Sequence, residues 1–396
     1  MTKMIAKIDR KHAWRKLSPD DGHYFFGYYD RNPWDQEIRR HLVLKIPQID
    51  RLPERGEKAE IGILDLEGKY EPLTETRAWC HQQGSMELFL KHRPDCFIYN
   101  DYDEKKKQMI ARIFQIGKGI IGNYPLPVYA MSPDGKWAVS LNFSRIPRRG
   151  YSYADAVLSE EQHPADPDAE GLFRINLETG ETKLIVSYRT MMERHPYAYG
   201  LAGQHIWLNH AIINCDSTRV LWLFRQCAES CKRKNIRWET FLYTSSLEGG
   251  DAECVLSECQ WQKFISHQIW GRTPHEILVD ANWTGSGHGA VVFDESRRPF
   301  LARKLSDSHG GMAHMVFSPD GKWILADSYP DADSMQKLIR INAENGEWEL
   351  LGTFHHEPVP TVETRCDLHP RWSPDGRFVT VDSTHDGKRG VYLLEL

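Results

Sequence analysis

Residues 131–137, 317–323 and 372–378 are three versions of one heptapeptide: Met-Ser-Pro-Asp-Gly-Lys-Trp, Phe-Ser-Pro-Asp-Gly-Lys-Trp and Trp-Ser-Pro-Asp-Gly-Arg-Phe. Proline sets φ, aspartate caps the turn and glycine supplies a positive φ, so each copy reads as a tight turn between two strands. A unit of this kind, repeated along a chain, buries its apolar face only by stacking on its neighbours, which selects a ring or a solenoid. Weaker copies at residues 32–35, 92–97, 215–220 and 272–277 bring the turns to seven. The third strand of a blade shows at 60–66, 171–177 and 337–343, each running into a turn that contains Gly68, Gly180 or Gly346. The chain ends in another such strand, 390–396, whose blade lacks an outer strand unless the segment around Trp14 and Leu17 provides it. The expectation is an all-β, seven-bladed β-propeller spanning 1–396 as a single domain. Its N-terminal strand closes the last blade and removes the open edges. A two-domain α/β arrangement is disfavoured, because sustained 3.6-residue periodicity is almost absent.

Charge narrows the partners. The chain has 50 Lys and Arg against 55 Asp and Glu, a net of −5, and no basic stripe, so a nucleic-acid partner is not expected. No apolar run approaches the length of a membrane span, so no membrane partner is expected. The first residues lack a signal-peptide core, and eight cysteines are too few for a disulfide scaffold of this size. A cytoplasmic location is expected, periplasmic or secreted if a leader has been removed. Cys227 and Cys231 read as ordinary thiols in preference to a metal clip.

The repeat also aligns histidines. His314 and His369 each stand five positions before the turn proline, and His210 precedes Asp216 as His314 precedes Asp320. His267 opens the corresponding strand of a further repeat, offset by two residues. First strands line the channel of a propeller, so four of the 18 histidines converge on one rim. Asp367 and His369 share one face of an extended strand, with Cys366 beside them. The metal set expected here is His267, His314, Cys366 and His369, with Asp367 as substitute or supporting partner. Such N, S and O donors suit a divalent ion, Zn²⁺ or Mn²⁺. A hydrogen-bonded polar ring without metal is the alternative. The loop 141–153 opens on the same face and carries Arg145, Arg148 and Arg149, a receptor for carboxylate or sulfate, with the phenols Tyr151 and Tyr153. Equivalent loops carry Asn100 and Arg225.

Segments 209–214 and 367–370, with the late His-x-x-x-Ser-Pro-Asp-Gly repeats, resemble oligogalacturonate lyases. Segments 25–30, 82–86, 99–101 and 140–143 look more like the propeller ulvan lyases. The resemblance spans most of the chain and implies β-elimination on an acidic oligosaccharide or polysaccharide that contains uronic acid. It makes His210 the expected base and Tyr151 or Tyr153 the acid, or the reverse, with Arg145 as carboxylate clamp. His81, Gln83, Asn100, Arg148 and Arg225 become expected substrate contacts. Asp367 stands where the oligogalacturonate lyases have a second histidine. A non-catalytic propeller acting as a binding scaffold is the alternative function. A glycosidase would need two carboxylates facing each other across the channel.

Overall fold

The computed structural model describes residues 12–156, 166–197, 204–228, 238–257, 267–283, 287–309 and 312–396. Its strands form seven four-stranded antiparallel sheets arranged as a propeller. Blade 1 holds β2 (His23–Phe25), β3 (His41–Ile46), β4 (Ala59–Leu64) and β5 (Tyr70–Thr76). Blade 2 holds β6 (Leu88–Leu90), β7 (Arg93–Asp103), β8 (Gln108–Gln115) and β9 (Gly119–Tyr124), and blade 3 holds β10 (Ala130–Met131), β11 (Trp137–Ser140), β12 (Gly171–Asn176) and β13 (Thr182–Ser187). Blade 4 holds β14 (Gln204–Ile213), β15 (Arg219–Ala228), β16 (Glu239–Ser246) and β17 (Glu253–Leu256). Blade 5 holds β18 (Gln268–Trp270), β19 (Glu276–Ala281), β20 (Gly289–Asp294) and β21 (Arg303–Asp307). Blade 6 holds β22 (Met312–Phe317), β23 (Trp323–Ser328), β24 (Met335–Asn342) and β25 (Trp348–His355). Blade 7 combines β26 (Arg371–Trp372), β27 (Phe378–Ser383) and β28 (Gly390–Glu395) with β1 (Arg15–Lys16).

The repeated turn works as its residues dictate. In blade 6 the Ser318 hydroxyl donates to Asp320 at 2.6 Å and accepts the Trp323 amide at 3.0 Å, while Gly321 takes φ of 70°. Blades 3 and 7 repeat the serine–aspartate bond at 2.6 Å, with Gly135 and Gly376 at φ of 73° and 76°. The turn expected at 92–97 is a correction: β7 already begins at Arg93, with a register slip between Phe89 and Leu90. No glycine follows Asp95, and its carboxylate is engaged by Arg40 of blade 1 at 3.0 Å; the reversal falls instead at Lys91 and His92, where Leu90 pairs with Arg93.

Ring closure is as expected. Arg15 pairs with Leu393 and Lys16 with Tyr392. Trp14 reaches further, donating from Nε1 to the Leu351 carbonyl of blade 6 at 2.9 Å and packing edge-on against Phe354. Leu17 is buried among Tyr24, Val43, Leu64, Phe378 and Val391, so one side chain joins the first blade to the last. Leu17→Ala is expected to cost about 3 kcal/mol of unfolding free energy, read from the urea midpoint, because the cavity opens at the seam. A midpoint equal to wild type would show that the seam does not depend on this contact. The one α-helix among the described residues, α1 (Tyr188–Glu193), is capped by the Ser187 hydroxyl on the Thr190 amide. None of the described helices is long and apolar enough to cross a membrane. The six described cysteines are free thiols; Cys231 lies outside the described residues.

Candidate functional site

Inner strands enter the channel side by side, and the chain bends out of regular geometry where the histidines sit. His210, His267 and His369 have φ of 51°, 61° and 44°, a left-handed conformation that costs a non-glycine residue on the order of 1–3 kcal/mol. His210 lies where β14 slips register between Asn209 and Ile212; His314 lies in the matching slip of β22 between Met312 and Met315. Each irregularity re-aims one side chain out of the sheet alternation.

The outcome is a histidine cluster. Ring centroids of His267 and His314, and of His314 and His369, are 4.3 Å apart. Tyr28 wedges among them, 5.0 Å from His210, 5.6 Å from His314 and 4.9 Å from His369. Asp327, at the inner end of β23, organises two of the rings. It accepts the His314 amide at 2.8 Å, the His314 Nδ1 at 3.0 Å and the His369 amide at 3.0 Å. With Nδ1 holding the proton toward Asp327, the Nε2 lone pair of His314 is the free donor.

His314, Asp367 and His369 are all buried, and their ligand atoms lie within 4.8 Å of one another. Burial alone would raise the Asp367 carboxyl. The Arg365 guanidinium, bonded at 2.5 and 2.9 Å, holds it below the usual range and therefore ionised. Both ring nitrogens of His369 are buried without a hydrogen-bond partner among the described residues. Burial also holds His210, His267 and His369 well below their ordinary value of 6.5, so these imidazoles are neutral. The imidazoles of His314 and His369 with the Asp367 carboxylate, His369 with both ring nitrogens orphaned among the described residues, fit a divalent cation, and the N/O set suits Mn²⁺ as well as Zn²⁺. Cys366 stands outside this group: its thiol points toward the Asp367 carbonyl at 3.9 Å, and burial pushes it up to about 12. Asp367 takes the place expected for the thiol, and His267 packs beside the group through His314.

Above the cluster opens a cavity of about 270 Å³, lined by His210, His267, His314 and Asp367 and, on the other wall, by Tyr151 and Arg225. Arg225 is 3% exposed and pairs with no carboxylate among the described residues. Its guanidinium lies over the rings of Trp238 and Tyr151, 5.5 and 5.9 Å from their centroids, and Nη1 reaches the Tyr151 hydroxyl at 3.5 Å. Burial raises the Tyr151 phenol, which keeps its proton. Arg149 borders the cavity but is paired with Glu363 at 2.6 Å. Gln83 also lines it and donates to the Tyr129 hydroxyl at 2.7 Å, which in turn accepts the His210 amide.

The other expected residues are not among those that line this cavity. Arg145 donates from Nε to the Ile206 carbonyl at 2.8 Å, and Arg148 bonds the Pro53 carbonyl. Tyr153 is fully buried near Cys80. His81 bonds the Arg51 carbonyl at 2.7 Å and is held at about 4 by burial, while Asn100 bridges both backbone groups of Val128. Conversely, Tyr28, Trp238, Glu363 and Arg365 line the cavity without having been singled out. The Tyr-Tyr pair at 28–29 before Asp30, and the arginine two residues from Asp367, were the available signals.

No family model matches the sequence, and no curated protein matches it. Solved structures do match. An oligogalacturonate lyase from Vibrio parahaemolyticus aligns with a TM-score of 0.63 at 13% identity, over 99% of this chain and 95% of that one. An oligogalacturonate lyase in complex with manganese aligns with a TM-score of 0.61 at 15% identity, over 97% and 93%. Tricorn protease reaches 0.50 at 12% identity, over 96% of this chain but 34% of its own. At such identities the likeness establishes the fold alone: the chain is a seven-bladed propeller similar to oligogalacturonate lyases in architecture.

Proposed function

We propose that the protein is a carbon–oxygen lyase that cleaves a uronate-containing oligosaccharide or polysaccharide by β-elimination. The observation that carries this reading is the meeting, at one cavity, of a buried His314–Asp367–His369 donor set, two of whose members line it, with the buried Arg225, which pairs with no carboxylate among the described residues. A cavity that presents uncompensated positive charge opposite neutral imidazoles favours an anionic ligand with a proton to lose. The resemblance of the sequence to propeller lyases and the fold shared with oligogalacturonate lyases agree with it.

In this scheme Arg225 binds the uronate carboxylate and disperses the charge that builds there as the neighbouring C–H bond breaks. A divalent ion held by His314, Asp367 and His369 would supply further Lewis-acid polarisation of the same carboxylate. His210, neutral in its buried setting, takes the proton at a ring nitrogen. Tyr151, whose phenol stays protonated, gives its proton to the departing glycosidic oxygen. The C–O bond then breaks, leaving a carbon–carbon double bond conjugated with the carboxylate. Gln83, Arg149 and Tyr329 border the space left for the rest of the sugar. A glycosidase is less well served, since Asp367 and Glu363 are each tied to an arginine.

The test is incubation with pectic, ulvan and glucuronan oligosaccharides, with Mn²⁺ or Zn²⁺ added. The expected outcome is new ultraviolet absorbance from the unsaturated product on at least one of them. Absence of that signal on every substrate, with saturable binding of the same oligosaccharides, would instead establish a non-catalytic binding propeller.

A further inference from the structure

Three of the channel histidines have their backbone amides held by a side chain, and one of the three is held differently. In blades 6 and 7 the acceptor is a carboxylate, Asp327, which takes the amides of His314 and His369 at 2.8 and 3.0 Å. The His210 amide instead meets two neutral groups, the Tyr129 hydroxyl and Asn209 Oδ1, each at 2.9 Å. The Tyr129 oxygen is itself 2.7 Å from Asn209 Oδ1 and 2.7 Å from Gln83 Nε2 in the cavity wall. Three blades contribute to this chain: Gln83 precedes β6, Tyr129 precedes β10, and Asn209 and His210 lie on β14. All four residues are buried.

Each proton in the chain has one direction. A backbone N–H only donates, so Asn209 turns its oxygen, not its amino group, toward His210. Tyr129 therefore gives its one proton to that oxygen and accepts the His210 amide and the Gln83 amino group. Flipped over, Gln83 would set an oxygen against a hydroxyl whose proton is already given. Burial raises the Tyr129 phenol, so that proton stays in place. The ring is fixed as well, stacked on Phe143 with 5.6 Å between centroids. Gln83 Oε1 and Asn209 Nδ2 are left buried without a partner among the described residues, a cost tolerated where a geometry has to be kept. His210 stands at φ of 51° where β14 slips register, so the direction of its ring depends on what holds its amide. Neutral groups suit that place. Arg225, His314 and Arg31 all act against a charge on the ring, and a carboxylate at the amide would act for one.

We infer that Tyr129 is a positioning residue for the proton-accepting His210: its hydroxyl, set between Gln83 and Asn209, holds the His210 backbone in the left-handed turn that presents the imidazole to the cavity. The catalytic consequence rests on the lyase reading; the hold on the amide does not.

The test is Tyr129→Phe in the full chain, which keeps the ring on Phe143 and removes only the hydroxyl. With histidine isotope-labelled, the amide resonance that vanishes in His210→Gln identifies His210. In Tyr129→Phe that amide proton should move upfield and exchange at least about tenfold faster, as for one lost hydrogen bond. On whichever oligosaccharide the wild type cleaves, kcat should fall about 10- to 100-fold with KM within about twofold, the pattern of a misplaced group, and bound metal should be unchanged. An amide equal to wild type, an unchanged kcat, or a fall in kcat that tracks lost metal overturns the positioning role and leaves the lyase reading standing. A wild type that forms no product on any oligosaccharide defeats the lyase reading, and the positioning role with it. If Tyr129→Phe does not fold, Gln83→Leu decides. Relieved of one donor, the Tyr129 oxygen accepts the His210 amide more strongly, so the amide proton should move downfield; no movement overturns the inference.

Discussion

Replacing His369 with alanine is expected to eliminate divalent-metal binding and to lower kcat by at least about 10³-fold, the rate equivalent of several kcal/mol of lost charge stabilisation. The geometry makes this the most sensitive position of the donor set. Its two ring nitrogens are buried and have no hydrogen-bond partner among the described residues, so the side chain preserves no structural hydrogen bond there. Its backbone is held in the left-handed region, φ of 44°, by the Asp327 carboxylate on its amide. Strain of that kind is maintained where the direction of a side chain matters. Metal content of the purified protein, measured after equilibration with Mn²⁺ or Zn²⁺, reads the binding loss directly. Cys366→Ser is the companion control. Its thiol stands outside the donor set and keeps its proton, so metal content should not change. Unchanged metal content in His369→Ala, or its loss in Cys366→Ser, would refute the assignment of the donor set to His314, Asp367 and His369.

The contrast between these two neighbours shows what a sequence can convey about such a site. The Ser-Pro-Asp-Gly turns are local chemistry, four residues whose φ preferences and side-chain bonds need no tertiary partner, and they form as read in blades 3, 6 and 7. His314 and His369 stand at a constant offset from those turns, so knowing the turn places the histidine at the channel. The extended strand expected to carry Asp367 and His369 is not there: β26 begins only at Arg371, and the left-handed backbone at His369, φ of 44°, goes with a donor set that includes its ring and the Asp367 carboxylate but not the Cys366 thiol. The arginines follow no such rule. Arg145 and Arg148 belong to a loop whose side chains turn toward carbonyls contributed by other blades, Ile206 and Pro53, and no local pattern encodes those partners. Arg225 is on a regular strand, yet its importance comes from the absence of a carboxylate partner among the described residues, a property of the assembled ring. The turn misplaced at 92–97 has the same origin, since Asp95 is drawn off by Arg40 from the adjacent blade.

Arg225→Met should cut kcat/KM by about 10²–10³-fold, the range for losing one preorganised group that stabilises developing negative charge, while leaving the protein folded and more stable. The two effects share one cause. A guanidinium that is 3% exposed and has no carboxylate partner among the described residues pays desolvation without recovering it in an ion pair. Methionine fills similar space between Tyr151 and Trp238 without that cost, so the thermal midpoint rises as activity falls. A third readout separates electrostatics from packing. Burial is the main cause of the depressed His210 pKa and the Arg225 charge is the next, so removing that charge moves the His210 pKa upward. A base must be neutral to accept a proton, so the acid limb of the kcat/KM profile shifts to higher pH in Arg225→Met. Arg225→Lys retains the charge, leaving the acid limb near its wild-type position, but lacks the planar fork and still loses rate. Full activity in Arg225→Met would remove this residue from the reaction; lost activity together with a lowered midpoint would mean that Arg225 holds the structure and that the carboxylate is neutralised by another group.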